Sequence, residues 1–157
     1  MNNNDLLSEV FFFNEFSPKQ LYRIMQLRVA VFVVEQTCYY QELDGLDTLP
    51  ETRHLLIQDG AEIAGYARIL APGASYSGAS SIGRIIVTEG YRGIALGHRV
   101  VKEAIEKCIE KWPEYPIKIG AQAHLKSFYG KHNFIQVGEP YVEDGIPHIH
   151  MVRANDG

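Results

Sequence analysis

Hydrophobic positions along this chain fall into short runs divided by polar, turn-forming segments. Val10-Phe11-Phe12-Phe13 is apolar and aromatic and reads as a first strand. Ser17-Pro18-Lys19-Gln20 then carries the marks of a helix start. Ser17 suits the cap, Pro18 the first helical position and Gln20 the reciprocal capping position. Phe16 is placed to pack on Leu21 as a hydrophobic staple. Leu21, Ile24, Met25 and Phe32 recur at helical spacing, and Arg28 shares their stripe, where a buried guanidinium needs a partner. Glu35 to Pro50 is acidic and turn-rich and reads as a loop. His54–Gln58 and Ile63–Leu70 read as strands of a hairpin around Asp59-Gly60, followed by a Gly/Ser/Ala-rich loop and a strand over Ile82–Val87. A helix is predicted from Ala95 to Lys111, with Leu96, Val100, Ala104 and Cys108 four apart. A strand over Ile117–Ala123, a short helix over Lys126–His132 and strands over Phe134–Val137 and His148–Val152 complete the pattern. No internal repeat or linker interrupts it. The order predicts one domain over residues 1–157, with one central mixed, mostly antiparallel sheet flanked by helices, an α/β (α+β) layer architecture.

Composition narrows the class of protein. The chain has 157 residues, 46% of them hydrophobic and 22% charged, enough for one sizeable core. No apolar run has the length to cross a bilayer and the first residues are polar, so neither a membrane anchor nor a signal peptide is expected. Cys38 and Cys108 make no disulfide framework, which fits a cytoplasmic location. A net charge of −4 argues against a general nucleic-acid binder.

The chemistry concentrates between Ile82 and His98. Ile85, Ile86 and Val87 end a strand, Arg92-Gly93-Ile94-Ala95-Leu96-Gly97 follow as a turn of small residues, and a long helix begins. The first turn of a helix leaves backbone N–H groups without partners at the positive end of its dipole. Small residues let a diphosphate approach that backbone, and Arg92, His98 and Arg99 offer further donors. Taken alone, Gly93 and Gly97 read as shaping a tight strand-to-helix connection and its packing.

Arg92–Gly97 resembles the pyrophosphate-binding signature of the GNAT acetyltransferases, Gln/Arg-x-x-Gly-x-Gly/Ala, with Ala95 where that family usually has glycine. Gln122-Ala123-His124-Leu125-Lys126-Ser127-Phe128-Tyr129 with Asn133-Phe134 is similar to the later GNAT pattern Asn-x-x-Ala-x-x-x-Tyr-x-x-x-Gly-Phe. Tyr129 and Phe134 match, whereas Gln122, Leu125 and Asn133 depart. Leu27–Gln36 and Asp144–Ile149 resemble the ElaA-like branch of the family, so the resemblance runs from about Leu21 to Met151.

The resemblance implies an N-acetyltransferase with acetyl-CoA as co-substrate and an amine as acceptor. It implies that Ile86 and Val87 pair with the pantetheine arm, that Arg92 to Gly97 hold the pyrophosphate, and that Tyr129 protonates the leaving thiolate. Candidate bases are Glu42, Asp44, Glu143 and His148. The acidic loop admits two readings, a wall attracting a cationic amine or solvated surface, with Arg28 pinning one of its carboxylates. His148 and His150 alternate on one strand and share a face, which is commoner in packing than in metal binding, and no metal is expected. Many domains of this type pair through sheet edges or terminal strands, so a homodimer is a further expectation. The rival function is a coenzyme-A-binding sensor or interaction module without transfer activity.

Overall fold

The protein, seen in a computed structural model, is described over residues 2–38 and 40–155. In chain order the elements are β1 (Leu7–Phe12), α1 (Pro18–Arg28), β2 (Arg53–Asp59), β3 (Glu62–Leu70), β4 (Ser81–Val87), α2 (Leu96–Lys111), β5 (Ile117–Gln122), α3 (Lys126–Gly130), β6 (Ile135–Glu143) and β7 (Ile146–Arg153). The first strand begins three residues earlier than its apolar run, and β6 runs well past Val137.

The start of α1 forms as its sequence dictates. Ser17 Oγ accepts from the Gln20 N–H at 3.2 Å, and Gln20 Oε1 accepts from the Ser17 N–H at 2.9 Å. Phe16, expected to staple onto Leu21, has its ring against Phe11 and edge-on to His54. Beyond Arg28 the helix widens into a π-helical stretch, Val29–Glu35. Such insertions gather at functional sites, and this one delivers Gln36 to the cavity described below.

Antiparallel pairing gives the order β1-β2-β3-β4 in one sheet and β5-β7-β6 in another. The single central sheet expected from sequence is thus two hydrogen-bonded sheets. They meet at a parallel bridge between Ser80 and Ile117, where the Lys118 N–H donates to the Ser80 carbonyl at 2.9 Å. Past this bridge no ladder joins β4 to β5, and a cavity opens between them.

The four-stranded sheet is covered on both faces. Ile24 and Val31 pack with Leu56, Tyr66 and Ile86 on one face. On the other, Val100, Val101, Ala104 and Cys108 of α2 pack with Leu55, Ile57, Ala67 and Ile69, and the core continues into Ile119, Ala121, Ile149 and Met151 of the second sheet. A Cβ at Gly65 would lie 2.9 Å from Val100 Cγ2, so glycine here sets the closeness of β3 to α2.

Candidate active site

The cavity between β4 and β5 has a volume of about 730 Å³. Gly83, Arg84 and Ile85 line it from β4, Gly120 and Gln122 from β5, Tyr129 from α3, and Glu143 and His148 from the β6–β7 end. β4 is bulged at its edge of this space. Tyr66 pairs with Ile86 and Arg68 with Gly83, so Arg84 and Ile85 together oppose Ala67. Arg84 takes a left-handed conformation with φ +52°. A bulge frees backbone polar groups from the ladder, and this one lies in the cavity wall.

Tyr129 is 9% exposed, and its ring meets those of Phe128 and Phe134 edge-on. Burial pushes its hydroxyl up to about 12, so it remains a proton donor at neutral pH. His148 is also 9% exposed. Its Nδ1 lies 2.8 Å from the Ile146 carbonyl, which can only accept, so Nδ1 is the donor and, in the neutral ring, the lone pair sits on Nε2. Nε2 faces Glu143 Oε2 at 3.7 Å. Gln122 Nε2 donates to Gln36 Oε1 at 3.4 Å and ties β5 to the end of the π-helical stretch.

The acidic loop is where sequence reasoning needs correction. Glu42 and Asp47 are 5% and 4% exposed, so two of the loop's carboxylates are buried while Asp44 and most of the remaining loop stay at the surface. Arg28, fully buried, donates through Nε to Glu42 Oε2 and through Nη1 to Asp47 Oδ1, each at 2.6 Å. Arg68 grips Asp44 with two hydrogen bonds of 2.8 and 2.9 Å and reaches Asp47 at 3.2 Å. Arg84 joins Glu42 at 2.9 Å and Asp44 at 3.3 Å. Three arginines therefore neutralise three carboxylates. Arg28 is the partner the sequence indicated; Arg68 and Arg84 were missed, because a charged residue inside a strand run carries no mark of what lies across the fold. Burial opposes ionisation of Asp47 and Asp44, but hydrogen bonds and charge from Arg28 and Arg68 outweigh it and hold both carboxyls below the usual range. Glu42 and Asp44 are thus engaged as anchors of the loop. Glu35 alone of the loop's outer acids reaches Arg92, at 3.4 Å with both side chains half exposed.

The glycine-rich turn lies beyond the far end of β4 and outside the cavity lining. Gly93 has φ +91° and Ala95, the cap of α2, has φ +60° and ψ 22°. Ala95 thus occupies the left-handed conformation that glycine adopts freely. Tyr91 fastens the turn to the β2–β3 hairpin, its hydroxyl lying 2.7 Å from Asp59 and 2.8 Å from Glu62. Arg92 Nε donates to the Val87 carbonyl at 3.0 Å. Ile94 accepts from Asn3 Nδ2 through its carbonyl, while Leu96 turns inward to the core. The backbone N–H groups from Leu96 to His98 begin the helix, and the Gly97 Cα faces Phe128 at ordinary contact distance for an added Cβ.

Two side chains expected as phosphate donors are engaged elsewhere. The His98 ring stacks on Phe128 with centroids 4.5 Å apart, and its Nδ1 lies 2.9 Å from His132 Nε2. Arg99 donates to the Asn3 and Leu6 carbonyls and to Glu103. Of the strand residues, Ile85 reaches the cavity, Ile86 is buried against the α1 side, and Val87 packs against the α2 side.

His148 and His150 share a face, as their alternation requires, but the β6 bulge inserts Tyr141 against both. Its ring stacks on His148 at 5.6 Å and on His150 at 4.7 Å. Among the described residues no group of three or more His, Cys, Asp or Glu side chains is arranged to hold a metal. Cys38 lines the cavity, and burial, followed by the charges of Asp144 and Glu143, raises its thiol. No helix among the described residues is long and apolar enough to cross a membrane.

A bulged strand splayed from its parallel neighbour, followed by a glycine-bearing turn into a long helix, defines a class. The acetyltransferase (GNAT) domain family matches residues 13–154, and the chain belongs to that family. Among its relatives is the protein ElaA of Escherichia coli K12, 47% identical over 140 residues that cover 89% of this chain and 91% of that one. The crystal structure of E. coli ElaA superposes with a TM-score of 0.88 at 44% identity, over 94% of this chain and 99% of that chain. An acyl-CoA N-acyltransferase from Pseudomonas aeruginosa superposes with a TM-score of 0.89 at 40% identity, over 95% and 99% of the two chains.

Proposed function

We propose that this protein is an N-acyltransferase that moves an acetyl group from acetyl-CoA directly to a primary amine, both bound at once. The observation that carries the reading is one cavity lined together by the bulged β4 backbone, the neutral Tyr129 hydroxyl and the basic Nε2 of His148. The diphosphate would rest on the backbone N–H groups at the start of α2, with Arg92 beside them, and the pantetheine arm along β4. The residues present fit such a ligand. Ala95 already holds the left-handed conformation, so its methyl does not break the turn, which weakens the reading of a silent binding module.

In the reaction the neutral amine nitrogen forms a bond to the thioester carbon as the C–S bond breaks. The carbonyl oxygen gains charge next to backbone N–H groups released at the Arg84–Ile85 bulge, a stabilisation of the oxyanion-hole kind. His148 takes the proton that the ammonium form loses before attack, and Tyr129 gives its proton to the departing thiolate and recovers one from the nitrogen that has attacked. Of the four candidate bases His148 suits the task best, because Glu42 and Asp44 are bound by arginines and Glu143 faces His148 itself. Holding the two reactants in line supplies up to roughly 7–11 kcal/mol of the barrier reduction in favourable cases.

The test is calorimetric titration of the protein with acetyl-CoA, with ATP as control, beside an Arg92→Glu variant and thiol release by Tyr129→Phe. Micromolar binding weakened by Arg92→Glu, with a 10²–10⁴-fold lower kcat in Tyr129→Phe, is the expected result. A wild-type protein that binds acetyl-CoA no better than ATP would overturn the reading.

A further inference from the structure

The wall of the cavity at Gly120 has a construction that the transfer chemistry leaves unexplained. A Cβ on Gly120 would lie 2.8 Å from the Tyr141 hydroxyl and 3.2 Å from the Tyr76 hydroxyl. Two hydroxyls from separate parts of the chain therefore converge on one point of the wall, and neither makes a hydrogen bond to a described residue. Glycine lets both hydroxyls sit there; a side chain would have to push the Tyr141 hydroxyl aside. The rings around that point form an aromatic corner. Tyr141 stacks on both His148 and His150, and Tyr76 meets His150 edge-on with centroids 5.8 Å apart.

Charge at this corner is unbalanced in one direction. Glu42, Asp44 and Asp47 are matched by arginines, but among the described residues Glu143 pairs only with the His148 ring, at 3.7 Å and with its own side chain 61% exposed. Asp144 follows it in the same turn and also lines the cavity. Lys118 supplies one positive charge, with Nζ 5.0 Å from the Tyr76 ring centroid, so these faces already host one ammonium. Glu143 and Asp144 leave one negative charge in excess of it. His148, 9% exposed, holds its Nδ1–H on the Ile146 carbonyl and turns its Nε2 towards Glu143 at the same corner. Burial first, and the Glu143 charge with it, raises the Tyr76 and Tyr141 hydroxyls, which therefore stay neutral and able to accept as well as donate.

We propose that Tyr76, Tyr141 and His150 over Gly120, together with Glu143, form the acceptor subsite, and that it takes a cationic alkylamine in preference to a zwitterionic or anionic one. The ammonium lies against Glu143 and the two hydroxyls, where its N–H donors find the acceptors the protein leaves free. It is next to His148, which receives the proton when the amine becomes a nucleophile. This assignment rests on the transferase reading for its role but not for its detection, since amine binding is measurable without turnover.

The experiment titrates the full-length protein, saturated with coenzyme A or free of it, with 1,4-diaminobutane, n-butylamine, glycine and 4-aminobutyrate. Wild-type protein is expected to bind the two cationic amines at least 10-fold more tightly than glycine or 4-aminobutyrate. Glu143→Gln and Tyr141→Phe should each weaken diamine binding about 10-fold or more while leaving the acetyl-CoA Kd within twofold of wild type. Tyr141→Phe keeps the stacked ring, so its far-UV spectrum and melting temperature should match wild type and separate lost recognition from lost fold. In turnover, Glu143→Gln should raise KM for the diamine more than it lowers kcat, a split that a purely structural role would not produce. Equal binding of cationic and zwitterionic amines, or a diamine Kd untouched by both variants, would overturn the subsite. Failure to bind acetyl-CoA would instead remove the transferase reading, with the amine titration still deciding the subsite.

Discussion

Replacing Arg28 with methionine removes the charge at the centre of the buried ion cluster while keeping most of its side-chain volume. Arg28 is fully buried and donates five hydrogen bonds, to both carboxylates, to the Glu42 carbonyl and to the Tyr66 hydroxyl. Arg68 and Arg84 remain for Asp47 and Glu42, so the variant leaves three carboxylates against two guanidinium groups. Removing one partner of a buried pair costs about 3–5 kcal/mol, because a charge is left without compensation. With a urea slope of about 1.5–2 kcal/mol/M, the unfolding midpoint should fall by roughly 2–3 M. The origin of the loss is testable through pH. If it is electrostatic, the difference between wild type and Arg28→Met must shrink towards pH 4, where the stranded carboxylate takes up a proton. Urea titrations at pH 8 and pH 4.5 measure it. A loss below about 1 kcal/mol at pH 8, or a loss equal at both pH values, would refute the argument and leave only packing.

Two further outcomes follow from single positions. Ala95→Gly should raise the melting temperature by about 1–3 °C, because relief of an L-residue in the left-handed region (~1–2 kcal/mol) exceeds the added unfolded-state entropy of glycine (~0.4–1 kcal/mol). A lower melting temperature in calorimetry would contradict that balance. His54 is fully buried between the Tyr66 hydroxyl at Nδ1 and the Asp47 carbonyl at Nε2, and burial lowers it from its ordinary value of 6.5. Its contribution to stability is therefore whole above pH 6.5 and is lost as pH falls through its lower folded value. Asp44 and Asp47, lowered from 3.8, add a second loss in the same direction below that pH. The urea midpoint should drop between pH 7.5 and 5 in wild type and drop less in His54→Gln. A flat profile in wild type over that range would exclude His54 as its cause.

The local rules in this chain were legible from its residues. Ser17 to Gln20 builds its cap from neighbours in sequence, Asp59-Gly60 makes its hairpin turn with its own backbone, and the four-residue spacing from Leu96 to Cys108 sets the buried face of α2. The signature at Arg92–Gly97 and the matched Tyr129 pointed to the family for the same reason, since each is a short stretch whose chemistry is carried by its own atoms. Three things were decided only by the fold. The division of the sheet past the Ser80–Ile117 bridge depends on which backbone groups pair between β4 and β5, which no strand pattern records. Of the acidic loop's two readings the sequence could not choose, because only Arg28 was legible and its other partners, Arg68 and Arg84, lie 21 to 42 residues away on separate strands. His148 and His150 share one face as their alternation requires, yet a bulge in β6 brought the Tyr141 ring onto both, and its hydroxyl together with that of Tyr76 over Gly120. Charge compensation and side-chain convergence are properties of three-dimensional neighbours, whereas caps, turns and periodicity are properties of the chain itself, and the division between what was read and what was missed falls along that line.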